Sequence, residues 1–266
     1  MSRFVALGRA SLAAERSPSG AMADGARRSQ TARAWPRAAQ HTKRCLIIKI
    51  LFYVYTMLRN ALKLYAITDR RWLAQNSYTL ETAVEEAILG GATIIQLREK
   101  ELDFDAFLDE AKSIKKLTDK YGIPLIINDN VEVAIACGAG GVHLGQEDLI
   151  GKSINEIRQK FGKDKIIGIS ANTLEEAIEA EKNGADYLGI DTPFATATKL
   201  DYKNASFDEM KKITSTVKIP CCAIGGVNAE TIPLLAGTGI AGYAMISAIF
   251  AEEDIREATV RLKKLI

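Results

Sequence analysis

The pentad Gln96-Leu97-Arg98-Glu99-Lys100 carries a carboxamide, a guanidinium and an ammonium at alternate positions. Successive side chains of a strand point to opposite faces, so Gln96, Arg98 and Lys100 address one volume. Arg meets phosphoryl oxygens with a planar fork and Lys with a mobile point charge, which suits a diphosphate better than a neutral ligand. The same two cations could instead pair with Glu99 or Glu101 on a solvated rim, where ion pairs contribute little. Further on, IINDN and HLGQED bring Asp129 and Asp148 to the ends of two apolar runs. They are hard-oxygen ligands suited to Mg²⁺, which binds through one or two carboxylates and fills its octahedron with water and substrate phosphate oxygens. Asp at such a junction also caps the following helix, so both roles stay open. His143 follows Val142 in an apolar run and reads as packed or hydrogen-bonded rather than as a metal ligand.

The stretch TPFATATK holds Thr192, Thr196, Thr198 and Lys199, whose hydroxyls, cation and backbone amides suit an anionic group. Gly225-Gly226 and Ser247 then end two later apolar runs, where loops and a helix N-terminus commonly build a phosphate site. Paired glycines also serve a tight turn that needs permissive backbone angles. A Ser/His/Asp set is excluded because His143 is the only His beyond residue 41, and neither GxxxxGK[ST] nor a GxGxxG opening a helix occurs. Triad hydrolysis, P-loop hydrolysis and Rossmann hydride transfer therefore lose support. Transfer with departure of pyrophosphate fits the remaining groups.

These side chains need elements that converge. LKLYAITD is a short apolar run. TLETAVEEAILGGA then sets Leu80, Ala83, Val84, Ala87 and Ile88 on one helical face, with Thr79 as N-cap and Gly90-Gly91 as the stop. The pattern recurs as TIIQLREK, PLIINDN, GVHLGQEDL, KIIGISA, YLGIDTPF, IPCCAIGGV and GYAMISAIF, each followed by a helical segment, including ETIPLLAGTG after the seventh. Eight units in about 205 residues predict a compact (β/α)₈ TIM barrel. In that fold chemistry sits at the C-terminal strand ends, so Asp69, Gln146 and the groups above should face one mouth.

The net charge of +2 hides unlike parts: residues 1–56 carry +8 and residues 57–266 carry −6. The acidic body gives no sign of the cationic face that a nucleic-acid binder needs. With no apolar run of 18 residues a membrane span is not expected, and four scattered Cys suit a reduced, cytoplasmic protein. Residues 1–56 form an Arg- and Ala-rich extension that reads as disordered or as upstream sequence before Met57. A transit peptide, and with it an organellar address, is the other reading. Residues 57–266 form the barrel domain. A homo-oligomer is compatible with this sequence, which does not determine subunit number.

LYAITD, QLREK, IINDN, GVHLGQED, IGISA, GADYLGI, TPFATATK, AIGGV and ISAI occur in order over residues 62–266, and together they resemble the thiamine phosphate synthase family. The resemblance implies a Mg²⁺-dependent transferase. It would join 4-amino-2-methyl-5-hydroxymethylpyrimidine diphosphate to 4-methyl-5-hydroxyethylthiazole phosphate, giving thiamine phosphate and pyrophosphate through a dissociative substitution. It implies that Gln96, Leu97, Arg98, Glu99, Lys100, Asn128, Ser170 and Lys199 handle the pyrimidine diphosphate and that Asp129 and Asp148 hold Mg²⁺. Thr196, Ala197, Thr198, Gly226, Ile246 and Ser247 would hold the thiazole phosphate. Arg98, Lys100, Ser170 and Lys199 would carry catalytic roles. A thiazole tautomerase-like relative would lack the diphosphate and metal set, and a non-catalytic sensor of thiamine precursors would release no pyrophosphate. Where the family reads GxGPxF, this chain has Asp191 for Gly and Thr192 for Pro. That places an extra carboxylate beside two anionic substrates, which is unfavourable unless it turns away or meets a cation.

Overall fold

Short β-branched runs alternate with amphipathic segments, and the chain resolves that alternation by closing on itself. The computed structural model describes residue 53 and residues 55–73, 78–195 and 204–266. The extension over residues 1–56 lies outside them apart from residues 53, 55 and 56, as do Thr196, Ala197, Thr198 and Lys199. Eight parallel strands form a closed barrel in chain order: β1 (Leu64–Ile67), β2 (Ile94–Leu97), β3 (Leu125–Asn128), β4 (Gly141–Leu144), β5 (Ile166–Ser170), β6 (Tyr187–Asp191), β7 (Cys221–Ile224) and β8 (Gly242–Met245). Closure is made by β8 on β1, with Leu64 opposite Tyr243 and Ala66 opposite Met245. The expected (β/α)₈ TIM barrel is the fold observed.

Helices α1 (Leu80–Gly90), α2 (Phe104–Tyr121), α3 (Val131–Ala136), α4 (Ile154–Phe161), α5 (Leu174–Lys182), α6 (Phe207–Thr216) and α7 (Ile255–Lys263) return the chain along the outside. The Thr79 hydroxyl caps α1 by accepting from the Thr82 N–H, and Gly91 ends the helix in the left-handed region at φ 112°, as expected. Two expectations are corrected. After β7 the segment ETIPLLAGTG forms only the 3₁₀ turn Ile232–Leu235, because Pro233 has no N–H and Gly237 and Gly239 take positive φ. Strand eight stops at Met245 and Ser247–Phe250 coil into one helical turn, with Ile249 and Phe250 N–H donating to the Ile246 carbonyl.

Period two divides the core into two layers. Leu64, Ala66, Ile95 and Leu97 face outward and pack under the helices with Val84, Ala87, Phe107 and Ile114. Tyr65, Ile67, Ile94, Ile126, Tyr187, Cys222 and Ala244 fill the barrel interior. Ile95 and Ile126 are fully buried, and truncating either to Ala would cost about 2–5 kcal/mol. Among the described residues no helix is long and apolar enough to cross a membrane.

Candidate active site

At the C-terminal ends of the strands lies a cavity of about 260 Å³. Gln96, Arg98 and Lys100 line it from β2 and the loop beyond, as their shared face predicts. The side chains of Leu97 and Glu99 belong to the opposite face. Leu97 is buried in the outer core, and the Glu99 carboxylate accepts from Arg70 Nε at 2.8 Å. The period that aims Gln96, Arg98 and Lys100 inward necessarily turns Leu97 and Glu99 away.

Neither cation takes the rim pairing that the sequence left open. Arg98 Nη1 donates to Asp69 Oδ2 at 3.2 Å, and its backbone N–H donates to Thr68 Oγ1 at 3.0 Å. Asp69 is itself gripped by Arg71, whose Nε and Nη2 donate at 3.0 and 2.7 Å. Burial raises the Asp69 carboxyl, but hydrogen bonds from Arg71 and the charges of Arg71 and Arg98 more than offset it, and the net shift is downward. Asp69 thus stays ionised and holds the guanidinium at the cavity wall. Lys100 Nζ pairs with Asp129.

The helix-capping reading of the two aspartates does not hold. Asn130 caps α3 and Ser153 caps α4 through a capping box, so neither Asp129 nor Asp148 is an N-cap. Asp129 follows β3 and is the only described non-glycine residue with positive φ, at 62°. Its Oδ1 accepts from Asn128 Nδ2 at 2.6 Å. Asp148 sits in the 3₁₀ turn Glu147–Leu149, where its Oδ2 accepts the Gly145 N–H at 2.8 Å. Burial, opposed by that N–H and reinforced by the charge and hydrogen bond of Asp129 and the charge of Glu147, pushes the Asp148 carboxyl up to about 6. A carboxyl whose ionisation is opposed by a neighbouring carboxylate is relieved by a divalent cation placed between them, so these residues fit Mg²⁺. Among the described residues no group of three or more His, Cys, Asp or Glu could hold a metal ion, so a Mg²⁺ held by two carboxylates would take its further ligands from water and substrate oxygens.

The other side of the mouth comes from β5 to β8. Ser170, Gly226, Ile246 and Ser247 line the same cavity there, Asn128 and Asp129 line it from the end of β3, and Glu147 rather than Asp148 lines it from the turn after β4. Gly225 and Gly226 adopt φ of 87° and 61°. A Cβ on Gly226 would lie 2.7 Å from both the Ala195 carbonyl oxygen and Phe194 Cβ, so close approach as well as conformation selects glycine there. Asp191 does line the cavity. His143 is buried and hydrogen-bonded, with Nδ1 2.9 Å from Tyr187 Oη and Nε2 3.1 Å from Ser170 Oγ. The sequence reading missed Tyr65, Tyr187 and Glu147. Tyrosines at inward positions of otherwise aliphatic strands were the available signal for the first two.

Fold and site together define a parallel (β/α)₈-barrel protein with cations, paired carboxylates and small-residue turns gathered at one C-terminal mouth. The sequence model of the family described as thiamine monophosphate synthase matches residues 64–249, and the chain belongs to that family, a transferase. It is 46% identical over 201 residues to a thiamine-phosphate synthase of Clostridium botulinum (strain Eklund 17B / Type B), covering 76% of this chain and 92% of the relative. It is also 46% identical over 202 residues to a thiamine-phosphate synthase of Ruminiclostridium cellulolyticum, covering 76% and 94%. The solved thiamine phosphate pyrophosphorylase from Pyrococcus furiosus superposes with a TM-score of 0.68 at 40% identity, covering 78% of this chain and 96% of that one.

Proposed function

We propose that the chain condenses 4-amino-2-methyl-5-hydroxymethylpyrimidine diphosphate with 4-methyl-5-hydroxyethylthiazole phosphate to give thiamine phosphate and pyrophosphate. One observation carries the reading: Gln96, Arg98, Lys100, Asn128, Asp129 and Ser170 surround a single cavity, and Asp148 interacts with Asp129. These are the groups that a diphosphate leaving group calls for.

The substitution is dissociative. The methylene C–O bond breaks with its electron pair going to the diphosphate, the aminopyrimidine stabilises the cation, and the thiazole nitrogen supplies the pair for the new C–N bond. No protein base is needed for this exchange. Mg²⁺ held by Asp129 and Asp148 would neutralise charge on the departing diphosphate. Arg98, fixed by Asp69, offers its remaining donors to phosphoryl oxygens, and Lys100 adds a mobile charge. Gln96 and Asn128 orient the diphosphate substrate and Ser170 donates to it. Thr196, Ala197, Thr198, Gly226, Ile246 and Ser247 hold the thiazole phosphate, and Lys199 helps to neutralise the departing diphosphate. Holding both substrates in an enclosed mouth favours capture by thiazole over loss to water. The reading includes small-molecule partners and a cytoplasmic location.

The test follows thiamine phosphate and pyrophosphate together, using the full chain and both substrates with and without Mg²⁺. Equal, Mg²⁺-dependent appearance of the two products is expected. Bound thiazole phosphate with neither product formed would overturn the reading and favour a sensor or a tautomerase.

A further inference from the structure

Beneath the cavity the barrel interior carries a continuous polar chain. Gln96 Nε2 donates to Tyr65 Oη at 2.7 Å, Tyr65 Oη lies 2.8 Å from Tyr187 Oη, Tyr187 Oη lies 2.9 Å from His143 Nδ1, and His143 Nε2 lies 3.1 Å from Ser170 Oγ. The chain joins Gln96 and Ser170 through Tyr65, Tyr187 and His143, all three buried, and His143 lines the cavity together with the two ends. Strands β5 and β6 make room for it. A Cβ on Gly168 would lie 2.1 Å from Tyr187 Cζ, and one on Gly189 would lie 3.1 Å from His143 Cε1. The Tyr187 and His143 rings stack with centroids 5.4 Å apart.

Proton counting gives this chain a direction. An amide nitrogen only donates, so Tyr65 accepts from Gln96; a buried hydroxyl proton needs an acceptor, and among the described residues the oxygen bonded to Tyr65 Oη is Tyr187 Oη, so the Tyr65 proton goes there. Tyr187, having accepted, sends its own proton to His143 Nδ1. An imidazole that accepts at Nδ1 carries its proton at Nε2 and aims it at Ser170 Oγ. With one oxygen lone pair engaged, the Ser170 hydroxyl is left to donate elsewhere, and Ser170 lines the cavity. Burial holds both phenols well above their ordinary range, so each remains a proton-bearing link.

We infer that the Gln96–Tyr65–Tyr187–His143 chain locks His143 as the neutral Nε2–H tautomer and thereby commits the Ser170 hydroxyl to donate into the cavity, toward an anionic ligand group. Tyr65, Tyr187 and His143 are positioning residues acting through Ser170. The ligand end rests on the proposed diphosphate site, whereas the tautomer does not.

Two measurements on the full chain test this. In a His41→Gln variant His143 is the only imidazole, and a long-range ¹H–¹⁵N correlation spectrum at neutral pH reads its tautomer without substrate. A protonated Nε2 beside an unprotonated Nδ1 is expected. A protonated Nδ1, or an imidazolium, overturns the inference. Tyr187→Phe keeps the ring and removes the donor, so it should convert the fixed tautomer into averaged shifts. Inorganic pyrophosphate then probes the ligand end in the presence of Mg²⁺. Ser170→Ala and Tyr187→Phe should each weaken its binding about tenfold, and the double variant should be no weaker than Ser170→Ala alone. Independent, multiplying losses overturn the coupling, as does unaltered binding in Tyr187→Phe. If the unsubstituted chain binds no pyrophosphate, the ligand end and the diphosphate reading both fall while the tautomer is judged by its spectrum.

Discussion

Asn172 and Asp191 clasp each other across the mouths of β5 and β6. Asn172 Nδ2 donates to Asp191 Oδ2 at 2.9 Å, and the Asp191 backbone N–H donates to Asn172 Oδ1 at 2.8 Å. This contact explains how the chain tolerates a carboxylate beside the cavity, where the family resemblance leads one to expect glycine: one carboxylate oxygen is bound to an amide rather than aimed at an anion. Asn172→Ala should therefore cost about 1.5–3 kcal/mol, the range for a hydrogen bond to a charged group. It should also weaken thiazole phosphate binding by releasing the charge. Urea denaturation and ligand titration check the two effects, and an unaltered midpoint would show that the clasp contributes nothing.

The contacts of Asp69 with Arg71, and to a smaller extent with Arg98, give a pH-dependent expectation. The folded-state carboxyl lies below its ordinary value of 3.8, so its contribution is complete above that value and is lost as pH falls through the depressed folded one. Asp69→Asn should be less stable than the parent by about 1–3 kcal/mol at neutral pH. The gap should narrow below about pH 4, as linkage requires. Denaturation midpoints from pH 2 to 7 measure it, and a constant gap across that range would refute the assignment.

Asp129 separates strain from chemistry. At φ 62° a side chain other than Asn or Asp is disfavoured, by about 1–2 kcal/mol. Asp129→Gly should be more stable than Asp129→Ala by about 1 kcal/mol. Both should lose Mg²⁺-dependent product formation alike. Thermal unfolding and turnover assays distinguish the two effects; a glycine variant that retains activity would remove Asp129 from the metal site.

Gly226→Ala probes the second anion site. Its Cβ would be forced against Phe194 and the Ala195 carbonyl at a backbone angle of φ 61°. The expected result is a KM for thiazole phosphate raised about tenfold or more, as for a displaced positioning element, with pyrophosphate binding unaltered. An unchanged KM would place the phosphate elsewhere.

The local sequence determined the repeat and the direction of each side chain. Eight apolar runs separated by capped amphipathic segments specify a strand-and-helix alternation that an eight-fold closure satisfies, and period two aims Gln96, Arg98 and Lys100 into one volume. The same period, applied to Leu97 and Glu99, would have turned them away from the site. The helix after β7 failed because Pro233 and the following glycines outweighed the apolar pattern. Only closure decided which distant groups meet. Asp69 braces Arg98 from 29 positions away, and Tyr65 reaches Tyr187 from 122 away. Asp129 helps to push the Asp148 carboxyl up from 19 positions away along the chain. Such partners lie on different strands, and their distances depend on how the barrel wraps. No spacing along the chain encodes that, whereas the hydrophobic period is written residue by residue.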